Sequence, residues 1–209
     1  MSIPCPEPLT GRRREIAAAA RSLVAERGFE GLRTRDIADR VGINIATLHY
    51  HVPTKEALIE LLALSMRDDF MAQNIARPRE GRPPAERLRM ELDDFRETLE
   101  TDYELMLALA ELIERARRDE NVAAAIRPMQ KHWRAQIETI LAEGREDGSF
   151  RTDLDPEAAA IMVIGTLTTF PRFEGPNPKA FDRIAAELWR AIINPGRDDP
   201  PGPQILPGS

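Results

Sequence analysis

Apolar residues return every three or four positions through most of the chain, the spacing that lays a single stripe along a helix. Ile16, Ala20, Leu23 and Val24, continued by Arg27, trace a first helix that Gly28 closes and Thr10 is placed to cap. Leu58, Leu61, Leu62, Ser65, Met66 and Phe70 trace another, before the stretch ARPREGRPP (76–84) interrupts the pattern. Leu88, Leu92, Phe95 and Leu99 then form a narrow seam, and Leu105, Met106, Leu109, Leu112 and Ile113 a second. A third runs through Val122, Ile126, Met129, Trp133, Ile137, Ile140 and Leu141 and ends near 144–148. Asp155 followed by Pro156 signals a helix start, because the carboxylate can cap and proline suits the first turn. AAAIMVIGTLTTF (158–170) is apolar all round, which predicts burial on several sides. Phe181, Ile184, Ala185, Leu188, Trp189, Ile192 and Ile193 give a last, wide stripe. No strand alternation and no internal repeat stands out, so the expected fold class is all-α.

Between residues 34 and 52 the helices become short. Thr34 can cap a helix RDIADRV with Ile37, Ala38 and Val41 facing inward, and Gly42 then permits a sharp turn into IATLHYH (45–51). Two short helices joined by a tight glycine-containing turn form a helix-turn-helix pattern. Ala38 is small where the two helices cross, and Ile43 with Leu48 pins the second against the first. With Leu48 inward, Ile45, Ala46 and His49 face outward and Tyr50 lies on the flank. A helix of this kind fits the major groove of DNA with its first residues, here Asn44, Ile45 and Ala46, near base edges. Arg33 and Arg35 bracket Thr34 at the start of the first short helix, and Lys55 opens the next one after Pro53-Thr54. Helix N-termini favour anions and an adjacent cation strengthens the effect, so these residues suit phosphate.

Charge supports this placement. The net charge is −6, yet residues 1–60 hold nine basic and eight acidic groups, so the acid excess belongs to the rest of the chain. Hydrophobic residues at 42% and charged residues at 31% suit a soluble globular protein with one large or two small domains. The only cysteine is Cys5, the N-terminus lacks the apolar run of a signal peptide, and the 158–170 stretch is shorter than the about 20 residues a membrane span needs. The expectation is a cytoplasmic protein with no membrane segment. His49 and His51 stand two apart, on different helix faces, which disfavours a metal pair. No nucleophile–base set and no glycine-rich phosphate loop is visible, so neither an enzyme nor a cofactor is expected.

The segment IAAAARSLVAERGFEGLRTRDIADRVGINIATLHYHVPTKEALI resembles the N-terminal DNA-binding region of TetR-type transcriptional regulators. It shares Gly28-Phe29 after the first helix, the TRDIA segment (34–38), the glycine turn, the TLHYH run (47–51) and the TKEAL start (54–58) of the next helix. The resemblance implies that Thr34, Thr47, Tyr50, His51 and Lys55 fall on positions used against DNA, and that His49 stands where relatives carry an aromatic, often Tyr. It also implies a helical C-terminal domain that binds a small effector, and homodimerisation through the last two long helices, about 155–170 and 178–193.

Four segments follow: a flexible N-terminus at 1–9, a DNA-binding domain at 10–56, an effector-binding and dimerisation domain at 57–194, and a disordered Pro/Gly-rich tail at 195–209. Met66, Phe70, Phe95, Leu99, Tyr103, Met106, Met129, Trp133 and Met162 can line an effector cavity or serve as plain core; Tyr103 and Trp133 each add a polar handle. Glu104, Glu111 and Glu114 read as a solvated helix face. The expected function is a homodimeric repressor that binds palindromic double-stranded DNA and is released by a small, hydrophobic effector. The helix holding Leu58 to Phe70 is expected to connect effector and DNA. A small-molecule sensor or carrier, or a helical protein-interaction module without specific DNA binding, remains the alternative.

Overall fold

The structure is a computed structural model that describes Leu9 and residues 11–194; the expectations for residues 1–8, for a Thr10 cap and for the 195–209 tail lie outside the described residues. Among those described are nine α-helices, one 3-10 turn and no strand, so the fold is all-α. In order they are α1 (Gly11–Arg27), the 3-10 turn Phe29–Gly31, α2 (Thr34–Val41), α3 (Ile45–His51) and α4 (Lys55–Ala76). Then follow α5 (Pro84–Thr101), α6 (Tyr103–Ala116), α7 (Glu120–Glu146), α8 (Pro156–Glu174) and α9 (Pro178–Ile192). The described residues fall into two compact units: one within 9–77 and 107–128, the other within 78–106 and 129–194. α4 therefore lies wholly within the first unit, while α6 and α7 each contribute to both.

In the first unit α1 packs against α2, α3 and α4. Its buried face is Ile16, Ala17, Ala20, Leu23 and Val24; the alanines keep the helix surface low enough for its neighbours to approach closely. Leu61 and Leu62 of α4 are fully buried, each worth about 1.5–3 kcal/mol of transfer free energy. α2 ends as the glycine turn requires. Gly42 takes φ 73° and ψ 35°, its N–H reaches the Asp39 carbonyl at 3.2 Å, and the Ile43 N–H reaches the Ala38 carbonyl at 3.0 Å. This pair of bonds closes the helix and swings the chain into α3. Two expectations are corrected here. Thr34 is the first helical residue and not a cap: extended Arg33 precedes α2, and no side chain caps it. Glu111 is half-buried, because α6 lies beside the 3-10 turn and a Cβ on Gly28 would sit 3.6 Å from its Oε2.

In the second unit α9 packs against α5 and α8. The rings of Phe95 and Phe170 lie 4.9 and 5.4 Å from that of Phe181, tying three helices together. Asp182, buried on α9, receives Arg96 Nε at 2.7 Å, which holds the guanidinium pKa above its ordinary value. Asp155 caps α8 by accepting from the Glu157 and Ala158 N–H groups, with Pro156 at the first turn as the local signal requires. The 158–170 segment does not meet its expectation of burial on several sides. Ala159, Ala160, Val163, Leu167 and Phe170 are buried, but Ile161 is 56% and Met162 51% exposed. The single chain covers one face of α8 and leaves the other to solvent.

Candidate nucleic-acid interface

α3 is held from beneath and capped at its start. Leu48 and Val52 are buried, and Asn44 Oδ1 accepts the Thr47 N–H at 2.7 Å, which fixes the first turn. That bond engages the Asn44 carbonyl oxygen and leaves its amide nitrogen to donate. Tyr50 is the most exposed apolar-bodied residue of the helix at 84%, and Ile45, Ala46 and His49 are exposed beside it. Thr47 and His51 are half-buried. The His51 and Tyr50 rings meet edge to face, with centroids 5.2 Å apart and an 81° interplanar angle. Thr54 Oγ1 accepts the Ala57 N–H at 3.1 Å, so Lys55 is the first residue of α4 and stands at its N-terminus.

The cations of this region fall into two groups. Arg12 pairs with Glu15, Arg14 and Arg21 with Asp69, Arg27 with Asp36, and Arg40 with Glu26. The Arg40 hydrogen bond also holds the Glu26 carboxyl below its ordinary pKa. Arg33, Arg35 and Lys55, with Arg13, are exposed and form no ion pair among the described residues. Arg33 and Arg35 flank the uncapped start of α2, whose first N–H groups have no intrahelical acceptor. Arg33, Arg35 and Lys55 thus sit, without an ion pair among the described residues, at two helix N-termini next to α3, where an anion is favoured by both charge and backbone dipole.

Lys55 also has a support that the sequence pattern did not assign a role. Its Nζ lies 5.3 Å from the centroid of Phe29, a residue only 4% exposed, and the Arg115 guanidinium lies 5.7 Å from the same ring. Arg115 pairs with Glu30 as well. Gly28-Phe29 was visible as a motif; Arg115 stands 85 positions from Glu30 and no local pattern links them.

The candidate effector residues are divided by the fold. Met66, buried, and Phe70, half-buried, belong to the first unit; the others belong to the second. There Leu99 and Met106 are buried and Phe95 is engaged with Phe181. The Tyr103 hydroxyl donates to the Pro171 carbonyl at 2.7 Å, and burial raises its pKa. The Trp133 indole N–H donates to Glu91 at 2.6 Å, and Glu91 in turn pairs with Arg79. Met129 is half-buried, whereas Met162 lies on the exposed face of α8. Among the described residues no cluster of three or more His, Cys, Asp or Glu is arranged to hold a metal, and no helix is long and apolar enough to cross a membrane.

Residues 16–62 match the family described as bacterial regulatory proteins, tetR family, and residues 82–188, more than half of the chain, match the tetracyclin repressor-like C-terminal domain. The chain belongs to the TetR family of transcriptional regulators. It is similar to the HTH-type transcriptional repressor KstR2 of Rhodococcus jostii (strain RHA1), with 24% identity over 191 residues that cover 91% of this chain and 93% of that repressor. Its fold is similar to that of the ketosteroid transcriptional regulator KstR2 of Mycobacterium tuberculosis, with TM-score 0.72 at 24% identity over 89% of this chain and 97% of that one. It is also similar to AibR, solved in complex with isovaleryl coenzyme A and operator DNA, with TM-score 0.74 at 23% identity over 86% and 98% of the two chains. As a TetR-family regulator the chain carries its helix-turn-helix in α2 and α3, the elements that hold Tyr50 outward and leave Arg33 and Arg35 without a protein partner.

Proposed function

We propose that the protein is a homodimeric, cytoplasmic repressor that binds a palindromic operator and leaves it when a small hydrophobic effector binds. The distribution of cations carries this reading: five arginines of the front segment are neutralised by internal acids, and Arg33, Arg35 and Lys55 beside α3 are not. In the proposed complex the DNA-binding segment is 10–56. Asn44, Ile45, Ala46, Thr47 and His49 face base edges, and Arg33, Thr34, Arg35, Tyr50, His51 and Lys55 hold the phosphates. The two helix-turn-helix units meet major grooves about 34 Å apart, or a multiple of that distance.

The remaining segment, 57–194, supplies the effector site and the dimer contact. An effector with an apolar portion is supported by the apolar, aromatic and methionine side chains of the second unit, among them Phe95, Leu99, Tyr103, Met106, Met129 and Trp133. The acyl thioester held by AibR has the same character. Ile161, Gly165, Thr169 and Phe173, one every four residues along the exposed side of α8, with Met162, support dimerisation through α8 and α9. To move operator occupancy from nearly full to nearly empty, the effector must discriminate between the two states by about 5.5 kcal/mol.

Shift assays on operator DNA compare wild type with Tyr50→Ala and Lys55→Ala. Both variants are expected to bind more weakly, Lys55→Ala uniformly across sequences and with a shallower salt dependence. Unchanged affinity in both would remove α3 and the start of α4 from the contact face.

A further inference from the structure

Two cationic side chains of the first unit converge on Phe29. Lys55 Nζ and the Arg115 guanidinium lie 5.3 and 5.7 Å from its centroid, and Arg115 is ion-paired with Glu30, the next residue along the turn. The turn is held from the α6 side at two levels, since Glu111 approaches Gly28 and Arg115, four residues on, engages Glu30. The Glu30 side chain is itself 78% exposed, so its charge is open to any neighbour that Arg115 does not cancel.

We infer that Arg115 is a positioning residue for DNA binding: by neutralising Glu30 it keeps Lys55, resting on Phe29, available to the phosphate backbone. This rests on the operator binding proposed above. Without Arg115, a bare carboxylate stands one residue from the ring that carries Lys55. There it competes with phosphate for the ammonium. Phe29 limits where Lys55 can go, so the direction of that pull matters.

The test uses full-length protein and a duplex that wild type selects from a random double-stranded library. Lys55→Ala is expected to weaken binding roughly tenfold, and to lower the salt slope by about one per protomer. Arg115→Ala should show a loss of the same kind, and Arg115→Lys should retain wild-type affinity. Adding Glu30→Ala to Arg115→Ala should restore binding, which a merely structural role for Arg115 does not predict. In the Lys55→Ala background, Arg115→Ala should add nothing. Arg115→Gln removes the charge but keeps the stem, and carries the same test if Arg115→Ala does not fold. Wild-type affinity in Arg115→Ala and Arg115→Gln, no rescue by Glu30→Ala, or additive losses with Lys55→Ala would each overturn the inference. If no duplex is selected, or Lys55→Ala binds like wild type, the DNA-contact reading itself has failed and the inference falls with it.

Discussion

Tyr103 begins α6 and also finishes α8. The Pro171 carbonyl lies in the last turn of α8, where intrahelical donors run out, and the Tyr103 hydroxyl supplies one at 2.7 Å. Tyr103→Phe removes that donor with little change of shape and is expected to cost about 1 kcal/mol, read as a lower urea midpoint at unchanged slope. The bond has a pH signature. Burial raises the phenol above its ordinary value of 10.0, so the unfolded chain ionises first. The stabilisation is complete below the unfolded value and is lost as pH rises through the folded one. Wild type should therefore lose stability in that alkaline range and Tyr103→Phe should not; parallel losses would assign the pH dependence to other groups. Asn44 is a residue of the same double kind, a cap through its oxygen and a candidate base contact through its nitrogen.

At the scale of elements, the legible features are those whose cause is local. Asp155-Pro156 starts α8 and Gly42 ends α2 because capping and left-handed backbone depend on a few adjacent residues. Thr34 was misplaced by one residue for a reason of the same scale: Arg33 takes the extended φ −116°, ψ 137° before the helix, and Thr34 is already inside it. The meeting of Gly144 with Phe150 is different. The Phe150 ring, fully buried, crosses α7 where Gly144 has no side chain, and a Cβ there would overlap it. Gly144→Ala exchanges a poor helix former for a good one, yet is expected to destabilise by about 1–3 kcal/mol through overpacking. Thermal unfolding decides the sign, since a higher Tm would mean that propensity outweighs the clash.

At the scale of the whole molecule, the exposed apolar face of α8 is the feature that a single chain leaves unexplained. Ile161, Met162 and Phe173 are 56%, 51% and 82% exposed, on a helix whose other face is core. Under the proposed dimer, Ile161→Glu with Phe173→Ser should give monomers in sedimentation velocity. Operator affinity should fall steeply, because two half-sites would no longer be engaged by one linked body. A double variant that stays dimeric would move the interface elsewhere.

The sequence by itself determined the helices, the helix-turn-helix and the family, because each rests on short-range spacing and on residues adjacent in the chain. It also marked the basic residues around α3. Tertiary structure alone decided which of them keep their charge unspent: Asp69, Asp36 and Glu26 neutralise four arginines through pairs 9 to 55 positions apart. It alone brought Arg115 to Glu30 and Phe29, across 85 positions. It also separated α8 into a buried and an exposed face, which apolar composition could not distinguish. Periodicity records that a side chain prefers burial, and only the packed neighbours determine against what, and whether they come from the same chain.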